Sequence, residues 1–275
     1  MYLKTKTKTY NLKEQTLVMG ILNLTPDSFS DGGAYTSIDK AVEHALEMEK
    51  AGAHIIDVGG ESTRPDHAPV SEEEEIARVV PIIKALSERL SIPISIDTYK
   101  ERTAEAAIVA GAEIINDVWG AKKEPKIAEV AAKYEVPIIL MHNRTNKQYD
   151  DLMAEMIVDL KESIAIAQHA GVRDEQIILD PGIGFAKELE DNFYVLGHLE
   201  QLTERLPYPF LLGTSRKSFI QTVLDISAAD RDNATGATTC LGMMKGVHIV
   251  RVHDVPRHVE LVTMMEAMLR SNVNG

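Results

Sequence analysis

From Leu17 onward, a short apolar run rich in β-branched residues is followed by a helical pattern, and this pairing constrains the chain more than any other feature. It recurs eight times, with no interruption long enough to mark a domain boundary. The strand candidates are 17–22, 54–58, 94–97, 113–116, 137–141, 176–179, 210–213 and 248–252. Helical patterns follow at 38–51, 72–90, 101–110, 125–134, 152–170, 192–205, 218–224 with 234–245, and 255–269. Ser71 before Glu72 to Glu75 puts an N-cap and negative charge where a helix start favours them, so that acidic run reads as structural. Gly52, Gly111, Gly171 and Gly246 stand at helix C-cap positions. The segments Ala51-Gly-Ala-His-Ile-Ile-Asp57 and Ala110-Gly-Ala-Glu-Ile-Ile-Asn116 resemble each other, as repeated βα units do. Eight βα units in about 250 residues predict an α/β fold, the (β/α)8 TIM barrel, because an open doubly wound sheet ordinarily uses fewer strands. The expected organisation is an N-terminal extension, 1–16, and a single barrel domain, 17–275.

Charge and cysteine usage narrow the function. A net charge of -13 opposes general attraction to nucleic acid or anionic lipid, so any anion site must be local. The single cysteine, Cys240, excludes disulfide frameworks and multi-cysteine metal sites, and is expected to be a small buried residue. No run approaches the ~18 apolar residues of a membrane helix and residues 1–16 have no apolar core, so a soluble cytoplasmic protein is expected.

In such a barrel the chemistry gathers where strands end. The first run, Leu17-Val-Met-Gly-Ile-Leu22, passes into Asn23-Leu-Thr-Pro-Asp-Ser-Phe-Ser-Asp-Gly-Gly33, a loop longer than a strand-to-helix link needs. Its proline and paired glycines are the composition of an active-site lid. The other runs end near Asp57 and Glu61-Ser-Thr-Arg-Pro65, then at Asp97, Asn116-Asp117, Met141-His-Asn143, Asp180-Pro-Gly-Ile-Gly-Phe185, Thr214-Ser-Arg-Lys-Ser218 and Arg251-Val-His253. A helix-capping role is the simpler reading for Asp57, Asp117 and Asn143 taken singly. The Gly182-Ile-Gly184 segment lacks the third glycine of a dinucleotide loop, and His253 has no second histidine at zinc-ligand spacing. Asp97, Asn116 and Asp180 are acceptors suited to a planar ring edge rich in N–H groups, whereas Lys217, Arg251 and His253 are donors suited to an anion. Strands seven and eight are where barrels commonly hold phosphate, so the expected ligand is a guanidine-like heterocycle attached to a diphosphate.

These motifs, in this order, resemble the dihydropteroate synthase family from Val18 to Met268. The likeness rests on Met19-Gly-Ile-Leu-Asn-Leu-Thr-Pro-Asp-Ser-Phe-Ser-Asp-Gly-Gly33, Gly59-Gly-Glu-Ser-Thr-Arg-Pro65, Ser95-Ile-Asp-Thr98, Ile115-Asn-Asp117, Leu179-Asp-Pro-Gly-Ile-Gly-Phe185, Ser215-Arg-Lys217 and Arg251-Val-His253. The resemblance implies a folate-pathway transferase and sulfonamide target that joins 6-hydroxymethyl-7,8-dihydropterin diphosphate to 4-aminobenzoate, releasing diphosphate. It implies that Asp97, Asn116, Met141, Asp180 and Lys217 hold the pterin, and that Asn23, Thr63, Arg251 and His253 meet the diphosphate, with Asn23 also meeting Mg²⁺. Phe29, Arg64, Pro65, Phe185 and Ser218 would border the aminobenzoate, and Asp97, Lys217 and Asp31 would act in catalysis. Small-molecule substrates and a homodimer are implied as partners, with no nucleic acid or membrane. Asp66 departs from the family's common glycine after Arg-Pro. A pterin-binding methyltransferase would use the same acceptors without a diphosphate, and a barrel that only binds is the rival from another class; the Asn23 loop and Arg251-Val-His253 oppose the first, and the full set of charged strand ends opposes the second.

Overall fold

The computed structural model describes residues 1–24, 34–61 and 70–271, with side chains described from residue 38 in the first helix. Phe29, Asp31, Thr63, Arg64, Pro65 and Asp66 lie outside the described residues. The chain opens with an antiparallel hairpin of β1 (Tyr2–Lys4) and β2 (Thr9–Asn11). The barrel strands follow as β3 (Leu17–Asn23), β4 (Ile55–Gly59), β5 (Ile94–Asp97), β6 (Ile114–Asp117), β7 (Ile138–Met141), β8 (Ile177–Asp180), β9 (Leu211–Leu212) and β10 (Ile249–Val252). All eight are parallel. They run in spatial order from β3 through β8 on one side and from β3 through β10 to β9 on the other. A bridge between Leu179 and Phe210 links β8 to the approach of β9 and closes the barrel.

The helices between the strands are α1 (Ala34–Lys50), α2 (Glu72–Ser87), α3 (Glu101–Ala110), α4 (Lys126–Tyr134), α5 (Leu152–His169), α6 (Leu189–Gly197), α7 (Glu200–Thr203), α8 (Ser218–Leu224), α9 (Asp232–Met244) and α10 (Val255–Ser271). Ser71 caps α2 by accepting from the Glu74 amide at 3.2 Å. The four expected C-cap glycines all have positive φ. The helix expected over 192–205 is instead two pieces, α6 and α7. The break falls at Gly197, among the poorest helix formers, and His198, whose φ of -127° leaves the helical region. Cys240, expected to be buried, is half-exposed on α9.

Two apolar clusters divide the strands by parity. Val18, Leu22, Ile56, Val58, Ile94, Ile96, Ile115, Ile138, Leu140, Ile177, Leu179, Leu212, Val250 and Val252 face outward and pack with the helices. Leu17, Met19, Ile55, Ile114, Ile139, Ile178, Leu211 and Ile249 face inward and fill the lower barrel. The hairpin closes that lower end, with Leu3, Tyr10 and Leu12 buried in the inward cluster. It is held by the Tyr10 hydroxyl donating to the His54 carbonyl at 2.8 Å and by the Thr7 amide and hydroxyl donating to Glu113 at 2.8 and 3.1 Å. Side chains alternate along a strand, so the next inward residue after each apolar one lies two positions on, in the upper barrel.

Candidate active site

The upper inward positions are Ile21, Asp57, Asp97, Asn116, Met141, Asp180, Gly213 and Arg251. Asp57, Asn116, Met141, Asp180, Gly213 and Arg251 each stand two residues beyond a member of the lower apolar layer. Asn23 stands one step higher, at the exposed end of β3. Gly59 is its register partner and in turn pairs with Asp97. A Cβ placed on Gly59 would lie 3.5 Å from Asn23 Oδ1 and 3.8 Å from Asp97 Oδ2, so the oxygens face a common space above a strand kept bare by glycine.

Arg251 organises one side of the mouth. Its Nε donates to Asp57 Oδ2 at 2.6 Å and its Nη2 to Asp97 Oδ2 at 2.6 Å, while Asn116 Nδ2 donates to the same Asp57 oxygen at 3.0 Å. Asp57 is fully buried and its Oδ1 has no hydrogen-bond partner among the described residues. The helix-cap reading of Asp57 is therefore corrected, because its side chain points into the barrel and holds two site residues. Asp117, one position along from Asn116, is structural but caps no helix: it points outward and accepts from the Trp119 and Ala121 amides of the turn after β6, at 2.8 and 2.6 Å, well before α4 begins at Lys126. Asn143 likewise caps no helix: it donates to the Val118 carbonyl at 2.9 Å, and α5 is capped by Asp151.

The opposite side is built by the loop after β8. Asp180 Oδ1 accepts from the Gly182 amide at 2.7 Å, and its Oδ2 faces the space above Gly213. Lys217 donates to the Ile183 carbonyl, and its Nζ lies 4.6 Å from the centre of the Phe185 ring, a cation–π distance. Between the two sides, His253 Nδ1 contacts Ser215 Oγ at 2.8 Å, and the same hydroxyl accepts from the His253 amide at 3.1 Å. Ser218 is exposed at the first turn of α8, and Met141 is buried beside Asp180 in register.

Electrostatics sharpen the contrast between the two sides. Burial pushes Asp97 up to about 7 even though Arg251 pulls the other way, and burial also raises Asp180 against the pull of Lys217. Burial brings Lys217 down to about 8, with Asp180 opposing. Arg251 is raised, because Asp57 and Asp97 outweigh its own desolvation. The mouth can thus present acceptors to a polar ring edge and cations to an anion within one shell. Mg²⁺ typically takes one or two protein oxygens and completes its shell with water and substrate phosphates. Asn23, exposed at the rim beside Asp97, fits such a partial role, and among the described residues no cluster of acids and histidines forms a full protein cage.

Among the described residues no helix is long and apolar enough to cross a membrane. Residues 19–253 match the family of pterin binding enzymes. A dihydropteroate synthase of Bacillus subtilis is 57% identical over 265 residues, covering 96% of this chain and 93% of that one. A Clostridium difficile dihydropteroate synthase solved in the presence of pteroic acid superposes with a TM-score of 0.92 at 48% identity, covering 94% and 98% of the two chains. A Xanthomonas albilineans dihydropteroate synthase with 4-aminobenzoic acid superposes equally well, at 0.92, with 39% identity and 98% of each chain covered. With eight strands closed into a barrel and a mouth that sets buried acceptors beside cations, the chain belongs to the pterin-binding enzymes, within the dihydropteroate synthase family.

Proposed function

We propose that the chain condenses 6-hydroxymethyl-7,8-dihydropterin diphosphate with 4-aminobenzoate to give 7,8-dihydropteroate and diphosphate, in the cytoplasm. The observation that carries this reading is the pairing of buried acceptors with cations in one shell at the mouth, Arg251 with Asp57 and Asp97 and Lys217 with Asp180. Asp97, Asn116 and Asp180 face a pterin edge that offers several N–H donors, and Lys217 lies against the ring from the Phe185 side. The bond from the pterin methylene to the diphosphate oxygen breaks, and the electron pair leaves with the diphosphate. Arg251, His253 and Ser215 stabilise that anion, while the Asp97 carboxylate stabilises positive charge growing on the methylene and ring. The amine nitrogen then forms the new bond and loses its proton to solvent. An aromatic amine is already largely unprotonated at neutral pH, so no dedicated strong base is required. Mg²⁺ held by Asn23 and the diphosphate would neutralise leaving-group charge. Phe185 and Ser218, with Phe29, Arg64 and Pro65, would border the amine, and Thr63 and Asp31 would serve the diphosphate and catalysis.

A homodimer is proposed through α6 and α8, where Phe193, Tyr194, Val223 and Leu224 are exposed and Phe193 packs edge-on against Phe219 at 5.5 Å. Sedimentation of the wild type beside Tyr194→Glu with Leu224→Glu tests the assembly. The test of function is diphosphate release from the pterin substrate, which must depend on 4-aminobenzoate and yield dihydropteroate. Release at the same rate without the amine would leave only a hydrolase.

A further inference from the structure

Beneath the loop that carries Asp180, Ile183 and Phe185 lies a second ammonium group, that of Lys187, which is 4% exposed. Its Nζ donates to the Gly182 carbonyl at 3.1 Å and to the Phe185 carbonyl at 3.1 Å, and lies 3.0 Å from His142 Nδ1. His142 is fully buried, and its Nε2 is 2.9 Å from Asp159 Oδ2, a carboxylate that also accepts from Arg144 Nε at 2.6 Å. An ionised Asp159 requires the hydrogen on Nε2, which leaves Nδ1 as an acceptor, so all three hydrogens of the Lys187 ammonium are used. The loop cannot settle against His142 with any other residue at 182. Gly182 has a φ of +66°, and a Cβ there would overlap the His142 carbonyl oxygen. The same loop also receives Lys217, whose ammonium binds the Ile183 carbonyl. The stretch 182–185 therefore gives two carbonyls to Lys187 and a third, that of Ile183, to the site lysine.

We infer that Lys187 is a positioning residue for pterin binding, fixing the carbonyls of the loop after β8 so that Lys217 and Asp180 are held in register with the ligand. The inference rests on the proposed placement of the pterin against Asp180 and Lys217. Burial brings His142 down to about 4, in keeping with a neutral imidazole, and it also pulls Lys187 down to about 7, so the ammonium is held against burial by its three acceptors and the nearby Asp180 charge. Against the upward push of partial burial, the hydrogen bonds from His142 and Arg144 bring Asp159 down to about 2, keeping it ionised. Methionine at 187 would keep the packing but leave the Phe185 carbonyl and the His142 ring nitrogen without the Lys187 donor, and the Gly182 carbonyl with the Phe185 amide alone.

The test is a double-mutant cycle read by calorimetry with 6-hydroxymethyl-7,8-dihydropterin, using Lys187→Met, Lys217→Met and the pair. Lys187→Met should weaken pterin binding roughly ten- to a hundredfold while the circular dichroism spectrum stays that of the wild type. In the Lys217→Met background the same change should cost much less, because the residue being positioned is gone. Lys187→Gln, which keeps two donors, should recover part of the affinity, and it carries the same cycle if the methionine variant does not fold. Full additivity of the two substitutions, or wild-type affinity in Lys187→Met, overturns the inference. If Lys217→Met alone leaves pterin affinity unchanged, it is the placement of the pterin that fails instead.

Discussion

The lower and upper halves of the barrel are lined by the same eight strands but are stabilised in opposite ways. Below, Ile55, Ile114, Ile139, Ile178, Leu211 and Ile249 meet Leu3, Tyr10 and Leu12 of the hairpin, and every side chain gains by leaving water. Two residues further along the same strands stand Asp57, Asn116, Met141, Asp180, Gly213 and Arg251, where burial of charge is a cost that only close pairing offsets. One step along a strand changes layer, from barrel interior to helix-packed exterior, and a second step changes the physics from packing to electrostatics. Stability is thus supplied from the bottom and from the outer helices, while the charges of the upper shell are kept in place by close pairing with one another.

The largest test breaks the upper half at its hub. Arg251→Met leaves Asp57 and Asp97 buried together without their shared cation, and should cost roughly 3–5 kcal/mol in urea unfolding at pH 8. Asp97 has a folded pKa near 7, above the ~3.9 of an unfolded aspartate, so the native state binds more protons between about pH 4 and 7. Its contribution is therefore fully present below pH 4 and is lost as pH rises through 7. Removing Arg251 extends that loss to higher pH, so the variant should regain stability when unfolding is repeated at pH 6. Asp97→Asn in the same background should flatten the slope. A loss below about 1 kcal/mol, or one independent of pH, would mean that the upper shell is not under electrostatic load.

The matching cut in the lower half is Ile178→Ala, a fully buried inward residue two positions before Asp180. It should cost roughly 2–5 kcal/mol through lost burial and the cavity left behind. Substrate KM values for the folded variant should not change. A rise in the pterin KM would show that the two layers communicate along β8, which the comparison excludes.

The eight-unit order and the strand positions could be read in the sequence because apolar runs bounded by caps leave few alternatives. The site was legible only in part, for a reason that Asp57 and Asp117 make plain. Both stand where an apolar run gives way to polar residues, and both invite a capping role. Counting in steps of two from the lower layer separates them: Ile55 leads to Asp57 inward, whereas Ile114 leads to Asn116 inward and leaves Asp117 facing out. Parity was the signal that the strand-end reading lacked. The hairpin at 2–11 was hidden differently, since strands of three residues carry almost no periodicity and gain their stability from the barrel base beneath them. Lys187 gave no signal at all, because a single lysine in a loop looks solvated until the carbonyls around it are known.

Within the upper shell, Asp180→Asn should weaken pterin affinity by roughly 1–3 kcal/mol with the fold intact, because an amide puts a donor where the ring edge also donates. Calorimetry with 6-hydroxymethyl-7,8-dihydropterin reads the change. Equal losses for the pterin and for free diphosphate would mean that the acceptor and cation sides are not separable. Arg251 already joins them in part, since its guanidinium touches Asp97 as well as the side expected to hold the anion.

The smallest expected effect lies at the bottom, where one polar contact fastens the hairpin. Glu113 is nearly buried, and a single carboxylate oxygen accepts both the amide and the hydroxyl of Thr7. Glu113→Gln keeps an oxygen that can accept from both donors but loses the charge that strengthens the two bonds, so the cost should be roughly 0.5–1.5 kcal/mol. The apolar contacts of Leu3, Tyr10 and Leu12 remain, and so does the Tyr10 bond to the His54 carbonyl, which is why the hairpin should loosen rather than detach. Hydrogen exchange at the Thr7 and Lys8 amides should quicken while exchange in β3 to β10 does not. Turnover should stay at the wild-type value, because nothing between Glu113 and Asn116 changes face. A fall in kcat with this substitution would mean that a polar fastener under the barrel sets the geometry of the shell above it, and the separation of packing from chemistry along the strands would then have to be abandoned.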